Sequence, residues 1–306
     1  MNLAPIMVRS QAVETPIFQR RTDRKRPILP QGPQRQGKLE LPTLAIFADF
    51  DDTLTTVTMQ NGRNNNGLLA QLGFKDPNGF WDRVAKREKR TGVGRIQAYM
   101  EELLHVEKKS KLRNVLTPAN FHSLGQSIPM APNVPFFMPR LQKLAQNGGL
   151  SLEFHILSSG IEEMIKGSTV EKYATSIRAN QFQYNKNHKA RGLQRVIAAH
   201  DKPTHIKEIV AERKLIIPPV YIGDGDTDIP AWQLVKNQLN GDAIAVYDPN
   251  KSKKVERAQR YMDEGLVSSI HPRNYQRGTS LMNHLGEIIE THAKAEESKP
   301  KLILLS

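Results

Sequence analysis

The 306-residue chain contains no cysteine. That absence excludes disulfides, thiolate nucleophiles and cysteine-bound zinc. No apolar run approaches the roughly 18 residues that a membrane span needs. The N-terminus has no apolar segment of the secretory kind. The expectation is a protein of the cytoplasm with no membrane partner. Acids are the scarcer charge: 31 Asp and Glu stand against 44 Lys and Arg, a formal charge of +13. Such an excess suits nucleic acid, an acidic surface or a phosphorylated substrate, and equally a plain solvated surface. Part of it is local. Residues 1–40 hold eight Lys or Arg against three acids, together with five prolines and almost no apolar periodicity. They read as a disordered basic tail.

The few acids are not scattered. The stretch FADFDDTLT at 47–55 places Asp49, Asp51 and Asp52 within four positions, directly after the apolar run LAIFA. Repulsion and desolvation both oppose packing carboxylates at the end of a buried strand. The aspartates therefore form a solvated turn, or something positive sits among them.

From Leu41 onward, short apolar runs ending in polar residues alternate with helical stretches. The runs are 44–49, 152–159, 220–226 and 242–248. Helices are expected at 135–147, 160–174, 203–214, 229–237, 251–264 and 279–297. This alternation predicts an α/β fold with a Rossmann-like, doubly wound parallel sheet. In such sheets ligands bind outside the carboxyl ends of the strands, where the polar clusters fall. Residues 59–131 interrupt the pattern with helical segments. One of them has Ile96, Met100, Leu103 and Leu104 at helical spacing. Thr117-Pro118 reads as an N-cap followed by proline at the first helical position.

Asp49 at a strand end suits a nucleophile toward phosphorus. Asp51, two residues on, suits a general acid and base. Both roles need the local negative charge neutralised, and a hard cation such as Mg²⁺ takes oxygen ligands and bridges phosphate. A second acidic strand end should then exist, and IGDGDTD at 222–228 supplies Asp224 and Asp228. Gly223 and Gly225 would let the backbone turn toward the ion. Asp228 also fits a helix N-cap, Asp52 a turn residue and Asp226 a solvated loop carboxylate. In LSSG at 157–160, Ser158 can donate to a phosphate oxygen at a helix start, while Ser159 and Glu162 fit a capping box. Lys202, just before Pro203, can reach a phosphate as a point charge. His200 and His205 have no metal-ligand spacing. Lys86, Arg87, Lys89 and Arg90 either attract an anionic substrate or form a solvated helix face. Phe80 and Trp81 read as core of the insertion.

Four pieces now stand in order: DFDDTLT, ILSSG, Lys202 and IGDGDTD. That order resembles the haloacid dehalogenase superfamily of phosphatases over about residues 41–290, and most closely its phosphoserine-phosphatase-like branch. The resemblance implies a core at 41–58 and 132–297, a small α-helical cap at 59–131, and tails at 1–40 and 298–306. It implies an aspartyl-phosphate on Asp49 and acid–base work by Asp51, whose carbonyl would also hold Mg²⁺. Asp224 would be a metal ligand and Asp228 a support, direct or through water. Ser158 and Lys202 would bind the phosphoryl group of a small phosphorylated substrate. Two positions depart from phosphoserine phosphatases. Thr58 stands where they carry a glutamate that reads the substrate amine, and Thr227 where the final motif has asparagine. Transfer to an acceptor other than water, and a non-catalytic nucleic-acid or partner-binding role for the basic chain, are the alternative readings.

Overall fold

The computed structural model describes residues 41–57, 69, 72, 77–109 and 115–299. The basic tail, Thr58, most of 59–76 and the last residues from 300 lie outside the described residues.

A seven-stranded sheet has the order β4-β3-β2-β1-β5-β6-β7. Its strands are β1 Thr43–Ala48, β2 Ser151–Ile161, β3 Ser176–Tyr184, β4 Ala190–Arg195, β5 Val220–Gly223, β6 Asp242–Tyr247 and β7 Ser269–Pro272. All neighbours pair in parallel except β3 and β4, which form an antiparallel edge. The helices are α1 Pro77–Thr91, α2 Arg95–Lys109, α3 Pro118–Gln126, α4 Val134–Asn147, α5 Glu162–Gly167, α6 Lys202–Glu212, α7 Ile229–Asn237, α8 Ser252–Asp263 and α9 Ser280–Glu297. None of the described helices is long and apolar enough to cross a membrane.

The sequence of β1 explains its central place. Leu44, Ile46 and Ala48 enter one core, while Ala45 and Phe47 enter the other. A strand apolar on both faces is stable only where helices cover both sides. Each fully buried Leu, Ile or Phe contributes about 1.5–3 kcal/mol. Helices α4 and α9 cover the first face, and α6, α7 and α8 the second.

Most expected elements stand within two residues of their predicted bounds. The helix expected at 160–174 is instead the short α5, ended by Gly167 and Ser168, whose hydroxyl donates to the Ile165 carbonyl at 2.6 Å. A single 3-10 turn at Glu171–Tyr173 follows. The Ser159–Glu162 capping box does not form. β2 runs on through Ile161, and the buried Glu162 carboxylate pairs with Arg195 and with Lys166 at 2.7 Å.

In the insertion after β1, the described residues form α1, α2 and α3, helical as expected. Thr117 caps α3, its hydroxyl accepting from the Asn120 amide at 3.2 Å, with Pro118 in the first turn. Such a cap is worth about 1 kcal/mol. α3 crosses α5 backbone to backbone: a Cβ on Gly125 would lie 2.1 Å from the Met164 carbonyl oxygen, and one on Gly167 2.0 Å from that of His122. Within the insertion, Phe80 is fully buried and Trp81 stacks on Tyr99 at 5.5 Å. Of the basic residues of α1, Lys86, Lys89 and Arg90 are exposed. Arg87 instead pairs with the buried Glu102 at 2.9 Å.

Candidate active site

The register carries three chain segments to the same edge of the sheet. Ala48 lies opposite Ile156 on one side and Ile222 on the other. The residues just beyond these positions are Asp49, Ser158 and Asp224. The Asp49 amide donates to the Ile222 carbonyl at 2.9 Å, which ties the first acidic segment to the second. A cleft of about 220 Å³ opens there, and Asp49, Asp51, Ser158, Lys202 and Asp224 all line it. Asp228, fully buried, stands behind the cleft.

Lys202 opens α6 and is 1% exposed. Its Nζ donates to Asp49 Oδ1 at 3.0 Å and to Asp228 Oδ1 at 2.6 Å. Burial alone would lower the pKa of this ammonium. The pull of Asp228 and Asp49 outweighs it and holds the group well above its ordinary value. Asp228 receives three more bonds, from Tyr221 Oη at 2.8 Å to Oδ1 and from the Asp224 and Gly225 amides at 3.0 and 3.1 Å to Oδ2. Four donors thus share its two oxygens. Asp228 occupies the N-cap position of α7, as expected, but its side chain makes no cap bond to that helix and turns inward to these donors.

The glycines of this loop act differently from expectation. Neither has a positive φ. A Cβ on Gly223 would lie 2.4 Å from Asp228 Cγ, so its use is close approach.

Burial pushes the Asp49 carboxyl up to about 7; Lys202 opposes the shift, and Asp228 and Asp224 add to it. Asp224 is raised for the same first reason. One oxygen each of Asp49, Asp224 and Asp228 lies within 4.8 Å of the others, a spacing that can hold a cation. Ser158 is buried, and its Oγ accepts from the Gly160 amide at 2.9 Å.

Sequence reasoning missed a second set. Asp52 is a turn residue with φ 53°, but it is also buried. Its Oδ1 accepts from Arg273 Nη1 at 2.6 Å and its Oδ2 from Lys254 Nζ at 3.0 Å. Lys254 also donates to Asp224 Oδ2 at 2.7 Å. Arg257 Nη2 donates to the Asp224 carbonyl at 2.9 Å and to Oδ2 at 3.1 Å. Burial would raise Asp52, but Lys254 and Arg273 together bring it below the usual carboxylate range. The available signal was the three-residue spacing of Lys254 and Arg257 on one face of α8, hidden in a helix rich in surface charge. Asp226 is exposed as expected, and accepts from Arg260 at 2.9 Å and Tyr261 at 2.6 Å.

No family model matches the chain. An uncharacterised protein of Borreliella burgdorferi is 25% identical over 285 residues, spanning 80% of this chain and 96% of that protein. A probable phosphoserine phosphatase from Vibrio cholerae, in unliganded form, is similar in structure with a TM-score of 0.53 at 13% identity. It covers 84% of this chain and 69% of its own. A phosphoserine phosphatase held as a phospho-aspartyl intermediate analogue gives a TM-score of 0.50 at 14% identity over 80% of this chain and 99% of that one. The chain shares their fold, a mostly parallel sheet flanked by helices.

Proposed function

We propose that this chain is a Mg²⁺-dependent phosphatase that hydrolyses a small phosphomonoester through an aspartyl-phosphate on Asp49. The observation that carries the reading is the meeting of Asp49, Asp51, Ser158, Lys202 and Asp224 around one cleft, from four separate chain segments. The acidic trio suits a hard cation, which takes oxygen ligands: one oxygen each of Asp49, Asp224 and Asp228 lies within 4.8 Å of the others. Asp49, the Asp51 carbonyl and Asp224 would hold Mg²⁺. Asp228, with both oxygens already engaged, would position Asp224 and Lys202 for that task. When bound, Mg²⁺ supplies charge neutralisation for the phosphoryl oxygens.

The residues of the chain divide the remaining work. Lys202 grips Asp49 Oδ1 and keeps the carboxylate oriented while its other oxygen attacks phosphorus. The P–O ester bond breaks as Asp51 gives its proton to the leaving oxygen. Asp51 then takes a proton from water, which attacks phosphorus and releases phosphate, returning Asp49 as carboxylate. Ser158 and Lys202 counter the charge on the phosphoryl oxygens. Helices α1–α3 act as the cap and limit access of water. Burial raises the phenol of Tyr99 in α2, and the nearby Asp51 charge adds to the shift. A cytoplasmic location is part of this proposal.

The test is release of phosphate from p-nitrophenyl phosphate. Wild-type protein with Mg²⁺ turns over, while EDTA or Asp49→Asn abolishes turnover. Undiminished activity in Asp49→Asn removes the covalent mechanism. Phosphate release from a panel of phosphometabolites then ranks substrates, with phosphoserine included because Thr58 and Thr227 depart from its recognition pattern.

A further inference from the structure

Three cations line the cleft, and they are not equivalent. Lys202 is 1% exposed and lies between Asp49 and Asp228, beside the reacting group. Lys254 and Arg257 have side chains 23% and 28% exposed, and both reach the cleft from α8. They converge on a single oxygen, Asp224 Oδ2, at 2.7 and 3.1 Å. The guanidinium of Arg257 lies against the Gly225 backbone, where a Cβ would stand 3.2 Å from Nη2. Its Nε is buried without a hydrogen-bond partner. A guanidinium has five donors, and the bonds it makes here, to the Asp224 carbonyl and Oδ2, both come from Nη2.

The chemistry of one phosphomonoester does not use this second pair. Asp49, Asp51, Ser158 and Lys202 suffice for the reacting group, and α8 stands on the Asp224 side of the cleft. An ammonium on Asp224 also competes with a divalent cation for that carboxylate. Lys254 also donates to Asp52 at 3.0 Å, so with Asp224 given over to a cation it would keep one acid and have charge available to another anion. A fork-shaped guanidinium and an ammonium side by side, partly open to solvent, are suited to a carboxylate or phosphate.

We infer that Lys254 and Arg257 form a subsite for a second anionic group, so that the substrate is a phosphomonoester carrying a carboxylate or a second phosphate. This rests on the phosphatase reading of the same cleft. The second anion binds on the α8 wall, and the ester phosphate faces Asp49.

Matched substrates test it. For the carboxylate arm, 3-phosphoglycerate is compared with glycerol 3-phosphate; for the phosphate arm, fructose 1,6-bisphosphate is compared with fructose 6-phosphate. The subsite requires that at least one doubly anionic member exceed its partner about tenfold in kcat/KM, mainly through KM. Arg257→Met and Lys254→Met should each collapse that ratio toward one. The readout is a ratio, so a general loss of activity or of folded protein cancels. Calorimetry gives a second measurement without turnover: Asp49→Asn protein should bind phosphonoacetate about tenfold more tightly than methylphosphonate, and Asp49→Asn/Arg257→Met should not discriminate. Ratios near one in wild type for both arms, or ratios preserved in both variants, overturn the subsite. No turnover of p-nitrophenyl phosphate by wild type would refute the phosphatase reading instead, while the calorimetric comparison still decides the subsite.

Discussion

Asp49 and Asp52 stand three residues apart at the end of the same strand, and their carboxyls are pushed in opposite directions. Asp49 is raised to about 7 because burial and two neighbouring acids outweigh a single lysine. Asp52, equally shielded from solvent by area, is lowered because Lys254 and Arg273 both bond it. The first belongs to a knot centred on Lys202, where one cation serves two carboxylates. The second belongs to a clamp in which α8 and the end of β7 bring three cations to Asp52 and Asp224. Burial and the ratio of cations to carboxylates decide the outcome together: Asp224, held by Lys254 and Arg257, is still raised by burial and by Asp228. The knot is short of positive charge, with one ammonium between two carboxylates. The clamp has charge to spare.

The knot should therefore break hardest. Asp228→Ala leaves the Lys202 ammonium, the Tyr221 hydroxyl and two amides without that acceptor inside the core. Removing one partner of a buried pair costs about 3–5 kcal/mol, and the urea unfolding midpoint should fall accordingly with m unchanged. A loss under about 1 kcal/mol would show that the knot is hydrated.

The opposite pKa shifts give the comparison a pH signature, best read in EDTA so that no metal binds. Asp49 sits above its unfolded value, so its contribution to stability is complete below about pH 4 and is lost as pH rises toward about 7. Asp52 sits below its unfolded value, so its contribution is complete above about pH 4 and is lost only as pH falls further. Unfolding free energies of wild type minus Asp49→Asn should thus decline between pH 4 and 7. The same difference for Asp52→Asn should stay level there and decline below pH 4. Parallel profiles would mean that both carboxyls share one electrostatic environment.

The contrast also explains what the sequence disclosed. The centre of the sheet was legible because β1, β2, β5 and β6 are apolar runs buried on both faces, and no other element reads that way. β3 and β4 were missed because SIRANQFQY and ARGLQR are half-buried and polar, with no clean period of two. β7, four residues long and ending in Pro272, is too short to signal itself. Asp49, Asp51, Ser158, Lys202 and Asp224 were legible because each follows an apolar run or opens a helix, so their convergence follows from topology. The clamp was not, because its partners are remote: Lys254 lies 202 positions from Asp52, and Arg273 221. Nothing local distinguishes these residues from surface charge. Asp52 shows how this misleads, since its turn geometry was readable and its burial was not.

Smaller effects should separate the clamp from the rim. Arg273→Met removes bonds to the Asp52 carbonyl and Oδ1 at 2.7 and 2.6 Å, but Lys254 still holds Oδ2. About 2 kcal/mol is expected, less than for Asp228→Ala, because the carboxylate left behind keeps a charged partner. The last substitution is Asp226→Ala, two residues from Asp224 on the same loop. Its carboxylate accepts from two side chains, Arg260 and Tyr261, as many as hold Asp52. Yet Asp226 and Arg260 have side chains 62% and 52% exposed, so water replaces most of what is removed. Less than about 1 kcal/mol should be lost, and 0.5 M salt should erase the difference from wild type. A loss matching Arg273→Met would mean that donor count, and not the balance of charge and burial, governs this loop.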